Sequence, residues 1–197
     1  MVSNVVRSPS SSPAALGFRM PPESAPHAAT WSAWPVDDAL WEGHLEAVRE
    51  DMANLLAAIS RFEPVHLLVR DDEAHDDVMV RLAARKVADD RVRLQTGAYQ
   101  DVWLRDSGPA FVVGSDARTA LVDFRFDGWG GKYAAEIDDG VPREIAASTG
   151  FERFEADVVL EGGAIEVGAD GTVLTTRSCL LDGVRNPGMD AAGYEEV

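Results

Sequence analysis

The chain has 197 residues, with 18 Lys and Arg against 34 Asp and Glu, a net charge of −16 and 46% hydrophobic content. No apolar run approaches the roughly 20 residues of a membrane-spanning helix, and so acidic a surface repels the phosphate backbone that dominates nucleic-acid affinity. Both classes are excluded, and a cationic small molecule is the ligand the charge favours. A single cysteine, Cys179, excludes an internal disulfide framework and a multi-cysteine zinc site, and fits a reducing, cytoplasmic setting.

Residues 1–17 are rich in Ser and Pro and are expected to form a disordered tail, with folding starting near Phe18. Two tryptophans set between prolines in MPPESAPHAATWSAWP suit an extended strand. Leu45, Val48, Met52, Leu55, Leu56 and Ile59 then recur at spacings of three and four, predicting an amphipathic helix over 38–60 capped by Asp37 or Asp38. Pro64–Arg70 is an apolar strand, and the acidic run after it opens a second helix. Strands are expected at 91–94, 102–105, 110–113 and 119–124, the last two joined as a hairpin across Gly-Ser-Asp-Ala. The glycine-rich DGWGGKY precedes a helix over 138–148, and strands follow at 158–160, 164–167 and 172–176, the last pair closed by Gly-Ala-Asp-Gly.

The segments RDSGPAFVVGSDARTALVDF and LEGGAIEVGADGTVLTTRS share one plan: a strand ending in a carboxylate, glycine within two residues, an apolar strand, a Gly-x-Asp turn and a second strand. Asp106 and Glu161, 55 residues apart, are then equivalent positions of an internal repeat. Modules of this size predict a propeller-like array whose strand ends converge on one axis and bring the two carboxylates together. A generic likeness between glycine-turn hairpins is the alternative.

Asp106, followed by Ser-Gly-Pro, reads either as a turn residue or as a receptor for a guanidinium, which would stack on the nearby Trp103 and pair with the carboxylate. Glu161 ends an apolar strand, so it is expected to be buried. Its charge then calls for either a structural arginine partner or a role in a site. His27, His44, His66 and His75 lie in no metal-binding or catalytic arrangement, and Cys179 between a strand and two leucines reads as a buried, inert thiol. No metal and no phosphate cradle is expected.

Read in order, MPPESAPHAATWSAWP, DVWLRDSGP, FDGWGGKY, VVLEGGAIEV, GTVLTTRSCLL and RNP resemble the agmatine deiminase family of the pentein superfamily, from about Arg19 to Pro187. The resemblance implies an α/β fold, a pseudo-symmetric propeller of five modules, of which residues 18–197 would form about three, an incomplete ring. It implies hydrolysis of agmatine to N-carbamoylputrescine and ammonia without a cofactor, in putrescine biosynthesis. By resemblance Asp106 binds the substrate guanidinium, Trp103 is a neighbouring substrate contact, and Glu161 works with a histidine in guanidinium recognition and proton transfer. Ser24 and Asp127 depart from the family's usual aromatic residue and asparagine. Nothing in the chain matches the family's Gly-His-x-Asp segment or its C-terminal cysteine motif, and Cys179 belongs to a different motif. The chain is therefore expected to be inactive alone, with a homo-oligomer or a complementing C-terminal half as partner. The alternatives are a non-catalytic guanidinium- or partner-binding module, or another guanidino-modifying hydrolase such as an arginine deiminase.

Overall fold

The computed structural model describes residues 12–195. The expected tail lies outside them as far as residue 11. Residues 14–16, also within it, form a 3₁₀ turn, and Leu16 packs onto the apolar cluster around Phe18. The chain is α/β and divides into two compact units, one of them Pro26–Leu104, the other made by the residues on either side of it.

Strand β1 (Phe18–Arg19) opens the outer unit. The Pro26–Leu104 unit then follows as β2 (Thr30–Ala33), α1 (Leu45–Ile59), β3 (Val65–Val69), α2 (Asp72–Ala84) and β4 (Val92–Thr96). Its three strands are parallel in the order β2, β3, β4, which requires the two helical crossovers the sequence supplies. Alternation sends Val65, Leu67 and Val69 to the helix-facing side, where they meet Ala53, Leu56, Ala74, Val78, Leu82 and the fully buried Trp34. Each buried Leu or Val contributes about 1.5–3 kcal/mol. Helix α1 begins at Leu45 rather than at residue 38, because Glu42 and Gly43 both take positive φ and interrupt the expected first turns. His44, within the expected helix range, is instead its N-cap. Asp71 caps α2 by accepting from the Ala74 amide at 2.9 Å.

Tyr99 is only 2% exposed, and its hydroxyl donates to the Trp34 carbonyl at 2.6 Å. Burial pushes its phenol well above the usual range. The folded state therefore keeps this proton at pH values where the unfolded chain, with a phenol near about 10, releases it. Stability is full below that pH and falls above it by about 1.4 kcal/mol per pH unit. Urea unfolding between about pH 8 and 11 is expected to show this decline, and Tyr99→Phe to flatten it while costing about 1 kcal/mol at neutral pH for the lost hydrogen bond.

The outer unit resumes with a short helical turn, α3 (Leu104–Ser107). The strand expected at 102–105 is absent: this apolar run pairs with no strand. Next come β5 (Ala110–Gly114), β6 (Thr119–Arg125), α4 (Val141–Thr149) and β7 (Glu152–Val159). Together with β1 they form a mixed sheet in the order β1, β5, β6, β7, with α4 as the crossover between the parallel β6 and β7. Strand β7 is longer than expected because its first six residues, Glu152–Asp157, carry charges that hide the strand signal. Inside the sheet the buried Asp123 pairs with the partly buried Arg153 across β6 and β7. A second hairpin, β8 (Ile165–Val167) and β9 (Val173–Thr175), precedes the short helices α5 (Arg177–Leu180) and α6 (Ala191–Glu195).

The two related segments share part of their plan, the acid, the helical turn and the hairpin, but only Glu161 follows a strand. Asp106 lies in α3 ahead of the β5–β6 hairpin, and Glu161 caps the 3₁₀ turn Gly162–Ala164 ahead of the β8–β9 hairpin.

Candidate functional site

In the outer unit, residues from distant motifs close around Asp106. Its Oδ1 accepts from the Gly163 amide and its Oδ2 from the Trp129 indole Nε1, each at 3.1 Å. The Glu161-Gly162-Gly163 motif is thus bonded directly to the Asp106 motif. The glycines are required by closeness: a Cβ on Gly163 would overlap Asp106 Oδ1, and one on Gly162 would overlap the Arg105 carbonyl. Arg105 pairs with Glu23, which ties the first motif to the same place.

A carboxylate has about four lone-pair sites, and the two amide-type donors occupy two of them. Each oxygen of Asp106 keeps one acceptor site, and Asp106 is only partly buried, so a planar guanidinium can meet it with paired N–H groups.

Trp129 reaches Asp106 from an unusual backbone. Gly128, Trp129, Gly130 and Gly131 have φ of 71°, 61°, 81° and 72°, a complete left-handed turn. Glycine adopts this conformation freely, whereas Trp129 pays about 1–2 kcal/mol. Asp127 closes the turn by accepting from the Gly130 amide at 2.7 Å, a role the more usual asparagine would fill with its side-chain carbonyl. The Trp129 ring is wedged edge-on by Phe126 and Tyr133, with centroids at 5.0 and 5.7 Å.

Glu161 is buried as expected, at 3% exposure, and both of its oxygens accept from the Arg185 Nε, at 2.7 and 3.0 Å. The arginine partner that its burial called for is present. Its carboxylate neighbours, Glu161 first among them, counter the cost of burial and hold the Arg185 guanidinium above its usual range. Asn186, next in the RNP motif, clamps β7 through both sides of its amide: Nδ2 donates to the Val159 carbonyl at 2.8 Å and Oδ1 accepts from the Val159 amide at 2.9 Å. The Tyr194 hydroxyl donates to the Leu180 carbonyl and accepts from Asn186 Nδ2.

Of the residues named from sequence, Asp106 and the Glu161 motif are brought together. Trp103 belongs to the other unit, where its ring is 50% exposed and its side chain hydrogen-bonds with Asp101. Cys179 is half-buried rather than buried, with the Thr176 hydroxyl 3.0 Å from its sulfur. His75 is exposed in the first turns of α2, and His66 stacks on Trp31. Among the described residues, no cluster of His, Cys, Asp and Glu is placed to hold a metal, and no helix is long and apolar enough to cross a membrane. Two contributors carried no role in the sequence reading: Trp129, whose signal is an aromatic N–H donor inside a run of glycines, and Arg185, whose signal is a cation following the buried acid.

Residues 19–197 match the Porphyromonas-type peptidyl-arginine deiminase family. The chain is 37% identical over 194 residues to the agmatine deiminase of Stutzerimonas stutzeri (strain A1501), covering 95% of this chain and 51% of that protein. It is 35% identical over 195 residues to the agmatine deiminase of Pseudomonas aeruginosa (strain LESB58), covering 96% and 51%. Among solved structures, the agmatine deiminase of Enterococcus faecalis superposes with a TM-score of 0.86 at 32% identity, over 98% of this chain and 52% of that one. The chain spans about half the length of the curated relatives it matches. With a match over nearly all of its residues, the chain belongs to the Porphyromonas-type peptidyl-arginine deiminase family.

Proposed function

We propose that the chain is the guanidinium-gripping portion of an agmatine deiminase-type hydrolase, the class that converts agmatine and water to N-carbamoylputrescine and ammonia. The observation that carries the reading is the Asp106 carboxylate, fixed by two N–H donors with one acceptor site left open on each oxygen. A guanidinium is resonance-stabilised and a poor electrophile. Its hydrolysis requires a grip on its nitrogens, a nucleophile at the central carbon and a proton for the departing ammonia. Asp106 serves the grip. Glu161, held in place by Arg185, uses its remaining lone pairs for recognition and proton transfer. The similarity to agmatine deiminases supports agmatine as substrate, as does the net charge of −16. Arginine would bring a carboxylate of its own, and the two guanidinium groups of the site are already engaged: Arg105 by Glu23, and Arg185 by Glu161.

The same reading makes residues 18–197 the N-terminal part of a propeller domain, about three modules of five, in a cytoplasmic protein. The repeated plan of acid, helical turn and hairpin supports the modules. The thiolate and the acid/base imidazole match nothing in these residues, so we assign them to a complementing C-terminal half.

Ammonia release from agmatine tests the assignment. The 197-residue chain alone is expected to give none, and mixing it with the separately produced C-terminal half of the Stutzerimonas relative to give measurable turnover. Turnover by the chain alone that survives Cys179→Ala contradicts the assignment of the nucleophile, because losing a nucleophile costs several orders of magnitude in rate.

A further inference from the structure

We infer that Trp129 is a positioning residue for the Asp106 carboxylate, its indole N–H setting the orientation in which Asp106 receives a guanidinium. The inference rests on the guanidinium-binding reading and deepens it by naming the side chain that orients the Asp106 carboxylate. Three observations carry it. The indole Nε1 donates to Asp106 Oδ2 at 3.1 Å, on the oxygen that the Gly163 amide leaves free. The indole makes T-shaped contacts with the rings of Phe126 and Tyr133, with centroids at 5.0 and 5.7 Å. It is carried by a left-handed turn in which it is the single residue that is not glycine, at φ 61° and ψ 46°.

A tryptophan needed for bulk alone could be held in relaxed backbone, so a left-handed indole aimed at a carboxylate points to a requirement for that direction of approach. The turn also leans on the support of the second carboxylate. A Cβ on Gly130 would stand 3.0 Å from Val184 Cγ1 and 3.7 Å from the Arg185 guanidinium, whose Nε holds Glu161. One rigid turn thus places a donor on Asp106 while packing beside the arginine that orients Glu161.

Removing the indole N–H leaves Oδ2 without its protein donor and lets the carboxylate rotate about its Cβ–Cγ bond. A guanidinium must then order a group that is at present already ordered.

Trp129→Phe tests this in the 197-residue chain, since it retains an aromatic ring on the same backbone and deletes only the indole with its donor. Calorimetry is expected to show agmatine binding weakened about tenfold, as for the loss of one hydrogen bond to a charged group. In an Asp106→Asn background Trp129→Phe is expected to have no further effect. Unchanged agmatine affinity in folded Trp129→Phe overturns the inference.

A second readout needs no ligand and no folded Phe variant. The indole proton resonance of Trp129 is expected to shift, and its exchange with solvent to quicken, in Asp106→Ala. A resonance indifferent to Asp106→Ala overturns the inference. If the wild-type chain fails to take up agmatine while this resonance still responds, the functional reading falls and the positioning contact stands.

Discussion

Gly163→Ala is expected to weaken agmatine binding roughly hundredfold while leaving a folded protein. The new methyl group would overlap Asp106 Oδ1, the oxygen that the Gly163 amide now binds. Asp106 is a short side chain, so it escapes only by rotating out of its cradle and giving up both N–H donors. Losing a charge-assisted grip on the guanidinium weakens binding roughly hundredfold, and the local overpacking costs about 1–3 kcal/mol. Gly162→Ala is the control for a backbone clash: its Cβ would overlap the Arg105 carbonyl, which has no rotamer to retreat to, so its stability cost should be the larger of the two. Calorimetric titration with agmatine and urea unfolding of the two variants separate the effects. Agmatine affinity unchanged in Gly163→Ala would remove Asp106 from the site.

Arg185→Met carries the second large effect. It leaves Glu161, at 3% exposure, without the guanidinium that contacts both of its oxygens. Breaking a buried pair from one side costs about 3–5 kcal/mol, because the remaining charge keeps its desolvation penalty and loses its partner. Replacing both members is much gentler, so Glu161→Leu with Arg185→Met is expected to regain most of the lost stability in urea unfolding. A single variant as stable as the wild type would mean that the pair does not hold β7 and the RNP segment together.

Much of the fold is legible in the sequence because local signals and tertiary structure agree there. The i, i+3, i+4 spacing over Leu45–Ile59, the acidic cap of α2 and the two glycine-turn hairpins each require only neighbouring residues. The misreadings have local causes as well. Val102-Trp103-Leu104 looks like a strand by composition, yet pairs with no strand. Glu42 appears helical by type, but its positive φ breaks the first turn of α1.

The carboxylates of the site were legible and their holders were not. Asp106 and Glu161 stand out as charges at the ends of apolar segments, a signal within a few residues. The groups that fix them lie 23, 57 and 24 positions away, at Trp129, Gly163 and Arg185, and no local pattern couples an aspartate to an indole at that range. What lies against the glycine pair after Glu161, the Asp106 carboxylate, is a fact of tertiary structure.

The central claim is that Asp106, held by Trp129 and Gly163, binds a guanidinium within this chain. Isothermal titration of the purified 197-residue chain with agmatine tests it most directly, with Asp106→Asn as the paired variant and putrescine, which lacks the guanidinium, as the competing cation. The account predicts saturable one-to-one binding of agmatine that is lost in Asp106→Asn and is not reproduced by putrescine. Agmatine binding that survives Asp106→Asn unchanged, or equal binding of putrescine, would contradict it.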